Sequence, residues 1–393
     1  MMEPLHTARP RWLQVAWIVL SAGLAFVCYG YVFPHENLNI EIPPILAMLD
    51  PGLYPRDFFV QEMLRFTPRT YYKHLVASLA TLGMGVDGAY FVLYLVAVTA
   101  FGAGLFKLGE AAGGHTLAGV LLVWWGLTAA AGSVGDNPLF RNGPIPMTLA
   151  GPLSVWGLYA VWRRAWIPAY ACFGGACLLQ FLVGLLPAVL VAPLLAADVL
   201  RGRRWLTGLG AGLALGLGAG AVYVPMVLQG TTGTDLLSNE AFVRIYGVIR
   251  HPHHIVPSAW PLQTWIDLVG LHLGGLFLLK RARAAAVVQW GVRAAVSVMA
   301  LALLATYLFV EVWPLAVVAK LQLARTTPFS SLIVWVGLLT VLGQALRHRH
   351  VLIVALLAVV PVSSQPGLLL VAVAAAYPLL RTISTDLDPR GQG

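Results

Sequence analysis

Apolar runs of about 20 residues recur from one end of the chain to the other. Each is long enough to cross the hydrocarbon core of a bilayer as a helix. Backbone groups in lipid must be paired within their own segment, which makes helix the reading for every run. The alternating pattern of a membrane β-barrel is absent. The pattern predicts crossings over 12–32, 88–107, 115–132, 146–162, 166–181, 183–200, 205–228, 262–280, 288–310, 328–346, 350–364 and 366–381. Gly184, Pro187 and Pro193 interrupt the short pair between Arg164 and Arg201, so a helical hairpin reaching only part of the way fits that stretch equally well. The expected architecture is all-α, a single transmembrane domain over 1–393 with about 12 crossings, in a range of 10–13.

Charge sorts the loops into two sides. Arg9, Arg11, Lys107, Arg163, Arg164, Arg201, Arg203, Arg204, Lys280, Arg281, Arg283, Arg347, Arg349, Arg381 and Arg390 fall on one of them. Those 15 basic residues face five acidic ones, whereas the other side has nine basic and 11 acidic residues. Positive charge is retained on the cytoplasmic side, so both termini are expected there, as in a bacterial inner-membrane protein. The apolar run after Arg11 is longer than a signal-peptide core and no A-x-A-type site follows it, so it is read as a helix that stays. Within the run 205–228, Gly208, Gly212, Gly216 and Gly220 share one face and predict a ridge for close helix packing.

Composition narrows the class further. The chain is 59% hydrophobic and 10% charged, against about 25% charged in a soluble domain. The net charge of +9 sits in short clusters with no basic face interleaved with aromatics, which excludes nucleic acid as a partner. Cys28, Cys172 and Cys177 lie inside apolar runs and read as small buried side chains. The partner the pattern requires is membrane lipid.

Polar residues gather in the external segments. The first, a loop over 33–87, holds Glu36 and Glu41 just after the first crossing, with His35, Arg56 and Asp57 nearby. IPPILAML and FFVQEMLRF in it read as short interfacial helices. A solvated loop is the default for any one of its charges, yet a long loop on a rigid scaffold tends to carry function. The second segment, GSVGDNPLFRNGPIPMT, places Asp136 and Arg141 between two crossings; a Gly/Asn/Pro turn and a carboxylate–cation pair in an external cavity explain it about equally. The third, within 229–262, holds Arg250, His251, His253 and His254 ahead of Trp260 and Trp265. H-x-H-H with no partnering carboxylate is a weak zinc signal, and recognition of an anion by arginine and imidazolium fits better. In the fourth, Lys320 and Arg325 either snorkel to headgroups or clamp a phosphate.

This arrangement resembles the membrane-embedded glycosyltransferases of the C type, the superfamily of protein O-mannosyltransferases and aminoarabinose transferases. The resemblance rests on a dozen helices, a long first external loop and an acidic pair after the first crossing. That family's segment runs Asp-Glu-x-x-Tyr-x-x-Ile; here HENLNIEI stands in its place, with Glu36 on the acidic position and Glu41-Ile42 in the following turn. His35 replaces the leading Asp and Asn39 stands near the Tyr. LLQFLVGLLPAVLVAPLLAADV resembles the family's partial helices, and PGLYPRDFFV is similar to uncharacterised bacterial membrane proteins of the same build.

The resemblance implies transfer of a sugar from a polyprenyl-phosphate-linked donor to an acceptor on the external face. Glu36 or Glu41 would be the base, with Asp57 and Asp136 as second choices. Arg325, Lys320, Arg250 and His253 would contact phosphate, with Arg56, Arg141, His251 and His254 as further substrate contacts, and His35 would orient a carboxylate or donate to the carrier phosphate. A divalent cation is the one cofactor left open. The rival readings are a transporter or flippase for a lipid-linked or amphipathic substrate, or a non-catalytic assembly subunit. Transport needs polar groups at the bilayer midplane; the chain offers few candidates, Gln180, Asp267, His272, Gln289 and Arg293, most of them near helix ends.

Overall fold

The computed structural model describes residues 11–34, 37–128, 133–230 and 237–386. Those residues form helices and connecting turns, with no strand among them. The order opens with α1 (Arg11–Tyr29), then the short α2 (Leu38–Leu49) and α3 (Phe58–Leu64), then α4 (Thr70–Leu79) and α5 (Gly85–Gly113). The central run is α6 (Thr116–Thr128), α7 (Pro146–Trp162), α8 (Trp166–Leu179), α9 (Phe181–Gly202) and α10 (Trp205–Leu228). Two small helices follow, α11 (Asn239–Val243) and α12 (Pro252–Ile255), before the long α13 (Leu262–Arg281) and α14 (Ala286–Tyr307). The last four are α15 (Ala316–Leu321), α16 (Thr327–Arg347), α17 (Val351–Val359) and α18 (Pro366–Asp386).

Each of the twelve segments predicted from hydropathy is helical over most of its length. Seven helical runs among the described residues are long and apolar enough to cross a membrane: Thr70–Gly113, Phe181–Gly202, Trp205–Leu228, Leu262–Arg281, Ala286–Val312, Ala316–Arg347 and Pro366–Ser384. Others are shorter. The 14 residues of α8 extend about 21 Å, less than the hydrocarbon thickness of about 30 Å. Gln180, in extended conformation, joins α8 to α9, and its side-chain oxygen accepts from the Leu182 amide at 3.0 Å. Gly184 then lies against the Phe173 carbonyl, so the two helices close as a tight hairpin.

Two expectations change. The stretch 70–79, read above as the end of a loop, is helix α4, and it runs on into α5 through a π-helical turn broken at Gly83 (φ +91°). Its Tyr72, Val76 and Ala77 pack inward, an apolar stripe masked in the sequence by the neighbouring His74 and Lys73. The glycine ridge also faces elsewhere. Gly212, Gly216 and Gly220 have nothing near the position of a Cβ, whereas a Cβ on Gly218 would strike the Gly174 backbone. The close contact uses the other four-residue series, Gly210, Ala214 and Gly218, against Ile167 and Gly174 of α8. A four-residue spacing of small residues occurs twice in α10, and only packing selects between them.

The bundle has two dissimilar ends. At one, the helix-to-helix turns are short and place Arg164, Arg203, Arg283 and Arg349 at positive φ, between 50° and 55°. This left-handed conformation favours glycine, so each of these arginines takes a backbone position that is strained for its side chain. At the other end lie α2, α3, α11, α12, α15 and the long connections.

Replacing Gly218 by Leu is expected to lower stability by about 1–3 kcal/mol through overpacking, while Gly216→Leu changes it by less than about 0.5 kcal/mol. Thermal unfolding of the two variants in the same detergent tests which glycine series carries the contact.

Candidate functional site

Connections from four separate parts of the chain are stitched together at the loop end. The Val134 amide donates to Thr327 Oγ1 at 3.2 Å, joining the connection before α7 to the start of α16. His254 Nδ1 lies 2.6 Å from the Gly135 carbonyl oxygen. A carbonyl only accepts, so Nδ1 carries the proton and Nε2 presents its lone pair elsewhere. Gly135 sits at φ +71° with Asn137, His254 and Ala324 crowding the place of a Cβ, so glycine is required there. Asn239 Oδ1 accepts from the Ala316 amide at 3.0 Å, and Gln229 is bonded by Arg65 and by the Phe66 amide.

Within this frame Asp136 and Arg141 form an ion pair at 3.0 Å. Arg325 Nε donates to Gln322 Oε1 at 2.5 Å, and Gln322 Nε2 donates to the Tyr246 hydroxyl at 2.8 Å. Arg325 is within electrostatic reach of Arg69, Asp136 and Arg141. His251 feels Arg250, His253, Arg325 and Arg69. The rings of His251, His253 and His254 lie 4.1–6.1 Å apart by centroid. Burial, followed by those neighbouring charges, holds His251 below its ordinary value. Burial is also the main cause that lowers His254 to about 4, against the opposing pull of its bond to Gly135. These two imidazoles are therefore neutral near pH 7. The lasting positive charge beside these two rings is guanidinium, from Arg69, Arg250 and Arg325.

Beneath the cluster is a buried carboxylate. Glu41 on α2 is fully buried and ion-paired with Arg69, whose side chain is 43% exposed. Burial raises the Glu41 carboxyl above its ordinary value, and Arg69 and Lys73 offset only part of that rise. Lys73, one helical turn beyond Arg69, is buried with its ammonium on the Met63 carbonyl oxygen. Tyr72 donates to the Pro144 carbonyl at 2.8 Å, which ties α4 to the connection carrying Arg141. Glu41 thus holds Arg69 in place from below. Its second oxygen, Oε2, is buried with no hydrogen-bond partner among the described residues.

The remaining candidates separate. Asp57 caps α3, its Oδ1 accepting from the Val60 amide at 2.9 Å, and Arg56 beside it is exposed. Lys320 lies 4.7 Å from the centre of the Phe242 ring. His35 and Glu36 lie outside the described residues. Arg69, Lys73, Tyr246 and Gln322 join the cluster without having been singled out in the sequence. The one available signal was Arg69 and Lys73 at four-residue spacing, which puts both on the face that meets Glu41.

Asp136, His253 and His254 each bring a ligand atom to within 4.8 Å of the others. The carboxylate that the histidine motif lacked in sequence is supplied by the second segment. Two imidazoles and a carboxylate suit zinc or a similar ion, and the Gly135 carbonyl orients His254 as an outer partner does in such sites. The surrounding arginines oppose a lone cation, so an anion would have to accompany it.

Arg69→Ala is expected to destabilise the protein by about 2–3 kcal/mol, the low end for breaking a buried pair because Arg69 is half exposed. Adding Glu41→Gln should restore only part of that loss, since the carboxylate left without Arg69 is removed but the buried Lys73 ammonium then loses its own carboxylate. Denaturation of both variants measures the coupling.

No family model, curated protein or solved structure matches the chain.

Proposed function

We propose that the chain is a multi-pass membrane glycosyltransferase that moves a sugar from a polyprenyl-phosphate-linked donor to a hydroxyl acceptor. Its helices would make about twelve crossings, in the range of 10–13 read from hydropathy, with the short α8 reaching only part of the way. The arginine turns would face the cytoplasm and the loop end the external side. The observation that carries this reading is the gathering of Arg69, Arg141 and Arg325 with His251, His253 and His254 around Asp136.

The chemistry suits those residues. Arg69 and Arg325 would hold the donor phosphate, presenting planar N–H forks to its oxygens. The acceptor oxygen forms a bond to the sugar's anomeric carbon as the bond from that carbon to phosphate oxygen breaks. Polyprenyl phosphate leaves with the bonding electrons, and guanidinium stabilises the charge it gains. Asp136, exposed at the cluster, would take the acceptor's proton as general base. Glu41, sealed beneath Arg69, positions that cation.

Most of the polar groups that a transporter would use are engaged locally, Asp267 Oδ1 alone among these five residues being buried with no partner among the described residues. His272 is bonded to the Leu268 carbonyl and Ser330. Gln289 bonds the Ala284 carbonyl and accepts from Arg293, Gln180 caps α9, and Asp267 accepts from Gln263. They form no connected path at mid-depth among the described residues, which favours the enzyme.

Transfer from polyprenyl-phosphate pentoses and hexoses in proteoliposomes is the test. Asp136→Asn, which suits the positive φ at that position, should lower kcat by about 100-fold or more. Arg325→Ala should raise KM for the donor by about tenfold or more. Full activity in both variants, or consumption of none of the donors, sinks the reading.

A further inference from the structure

A second site lies at the opposite end of the bundle, where the arginine turns are. A cavity of about 480 Å³ opens between α7, α9, α14 and α16. Its volume is within the range of about 300–1,000 Å³ for ligand pockets. The walls are apolar, with Leu158, Val191, Leu194, Val292 and Ile333 among them. The mouth is charged. Arg164, Arg201 and Arg204 surround it with Asp198 as the acidic partner.

The mouth is organised. Asp198 accepts from Trp166 Nε1 at 2.8 Å and from Arg164 Nη1 at 3.4 Å, and lies 4.0 Å from Arg204 Nη1. One carboxylate thus aligns two guanidinium groups, each with five N–H donors, and leaves most of those donors unspent. Arg201 lies 5.9 Å from the Trp290 ring centre, which steadies it at the rim. Arg164 takes a left-handed backbone conformation at φ +55°, a position where glycine would be less strained.

The depth of the cavity identifies the occupant. Val191 precedes Arg201 by ten residues on α9, so the apolar wall runs about 15 Å from the mouth. That is half the hydrocarbon thickness of about 30 Å, the depth of one leaflet. An excess of positive charge at the headgroup level above an apolar slot of leaflet depth matches an anionic phospholipid, as basic pockets between membrane helices do. We propose that this cavity binds one anionic phospholipid, its phosphate among Arg164, Arg201 and Arg204 and an acyl chain along α9 and α14. The site is separate from the loop-end cluster and independent of any transferase activity there.

Native mass spectrometry of the full chain, titrated with phosphatidylglycerol and with phosphatidylcholine of identical acyl chains, tests this. One phosphatidylglycerol should be retained well above phosphatidylcholine. An arginine near a headgroup contributes about fivefold in affinity, so Arg201→Ala with Arg204→Ala should lower phosphatidylglycerol retention by about 25-fold, towards the phosphatidylcholine level. Ala197→Trp, which fills the slot, should remove the bound lipid. Equal retention of the two lipids by the unaltered protein means that a neutral chain or detergent fills the cavity, and overturns the proposal. Unchanged phosphatidylglycerol retention in the double arginine variant, with its unfolding temperature matched to the unaltered protein, overturns it as well.

Discussion

Water does not reach the middle of an apolar helical bundle, so each polar group placed there must find its partner in the protein. Several hydroxyls in the bundle obey this at short range, while those of Tyr31 and Ser384 are buried with no partner among the described residues. Ser154 donates to the Val183 carbonyl, Thr148 to the Gly143 carbonyl and Thr340 to the Gly337 carbonyl one turn back. His272 uses both ring nitrogens, on Leu268 and on Ser330. With much of the interior committed in this way, the charged side chains gather at the two ends. Tight packing enforces the same division: Gly113 lies against the Gly343 backbone and Gly174 against Gly218, contacts with no room for a polar side chain.

The two ends answer that constraint differently. At the loop end the connections satisfy one another across long sequence distances, as Val134 with Thr327 and His254 with Gly135 do. A frame of that kind holds charged side chains from different helices at fixed separations, the property a binding or catalytic cluster needs. At the turn end the connections are only a few residues long and the positive charge is mostly arginine. There the backbone takes left-handed turns while the side chains reach outward, an arrangement suited to a charged lipid surface.

Glu41 and Arg69 link the interior to the loop-end cluster. A carboxylate fully removed from solvent is costly unless paired, and its partner Arg69 is half exposed. The pair therefore runs from the core to the surface and fixes one cation of the cluster by the requirements of the core. Burying Lys73 beside it places a second cation against the same carboxylate, and its bond to the Met63 carbonyl braces the short connection between α3 and α4.

Much of the fold was legible in the sequence because membrane hydropathy is a strong one-dimensional signal: length and apolarity alone place α7, α10 and α13 to within a residue or two. The clustering of basic residues in short turns was equally plain, since Arg163–Arg164 and Arg201–Arg204 are adjacent in the chain. Asp136, Arg325 and the histidines were singled out as polar residues in loops. That they meet was decided only by tertiary structure, because their contacts join segments more than 70 residues apart. The same holds for the choice between two glycine series on α10, which are equivalent in sequence and differ only in which faces α8. Arg69 and Lys73 stayed hidden because a charged residue in a loop is ordinarily solvated, and only the burial of Glu41 gives them a task. Sequence by itself determined where most of the long apolar helices lie and which charges fall in the turns between them, since both follow from the local preference for lipid or water. Tertiary structure decided which charges act together, because that depends on distances between helices that no local pattern encodes.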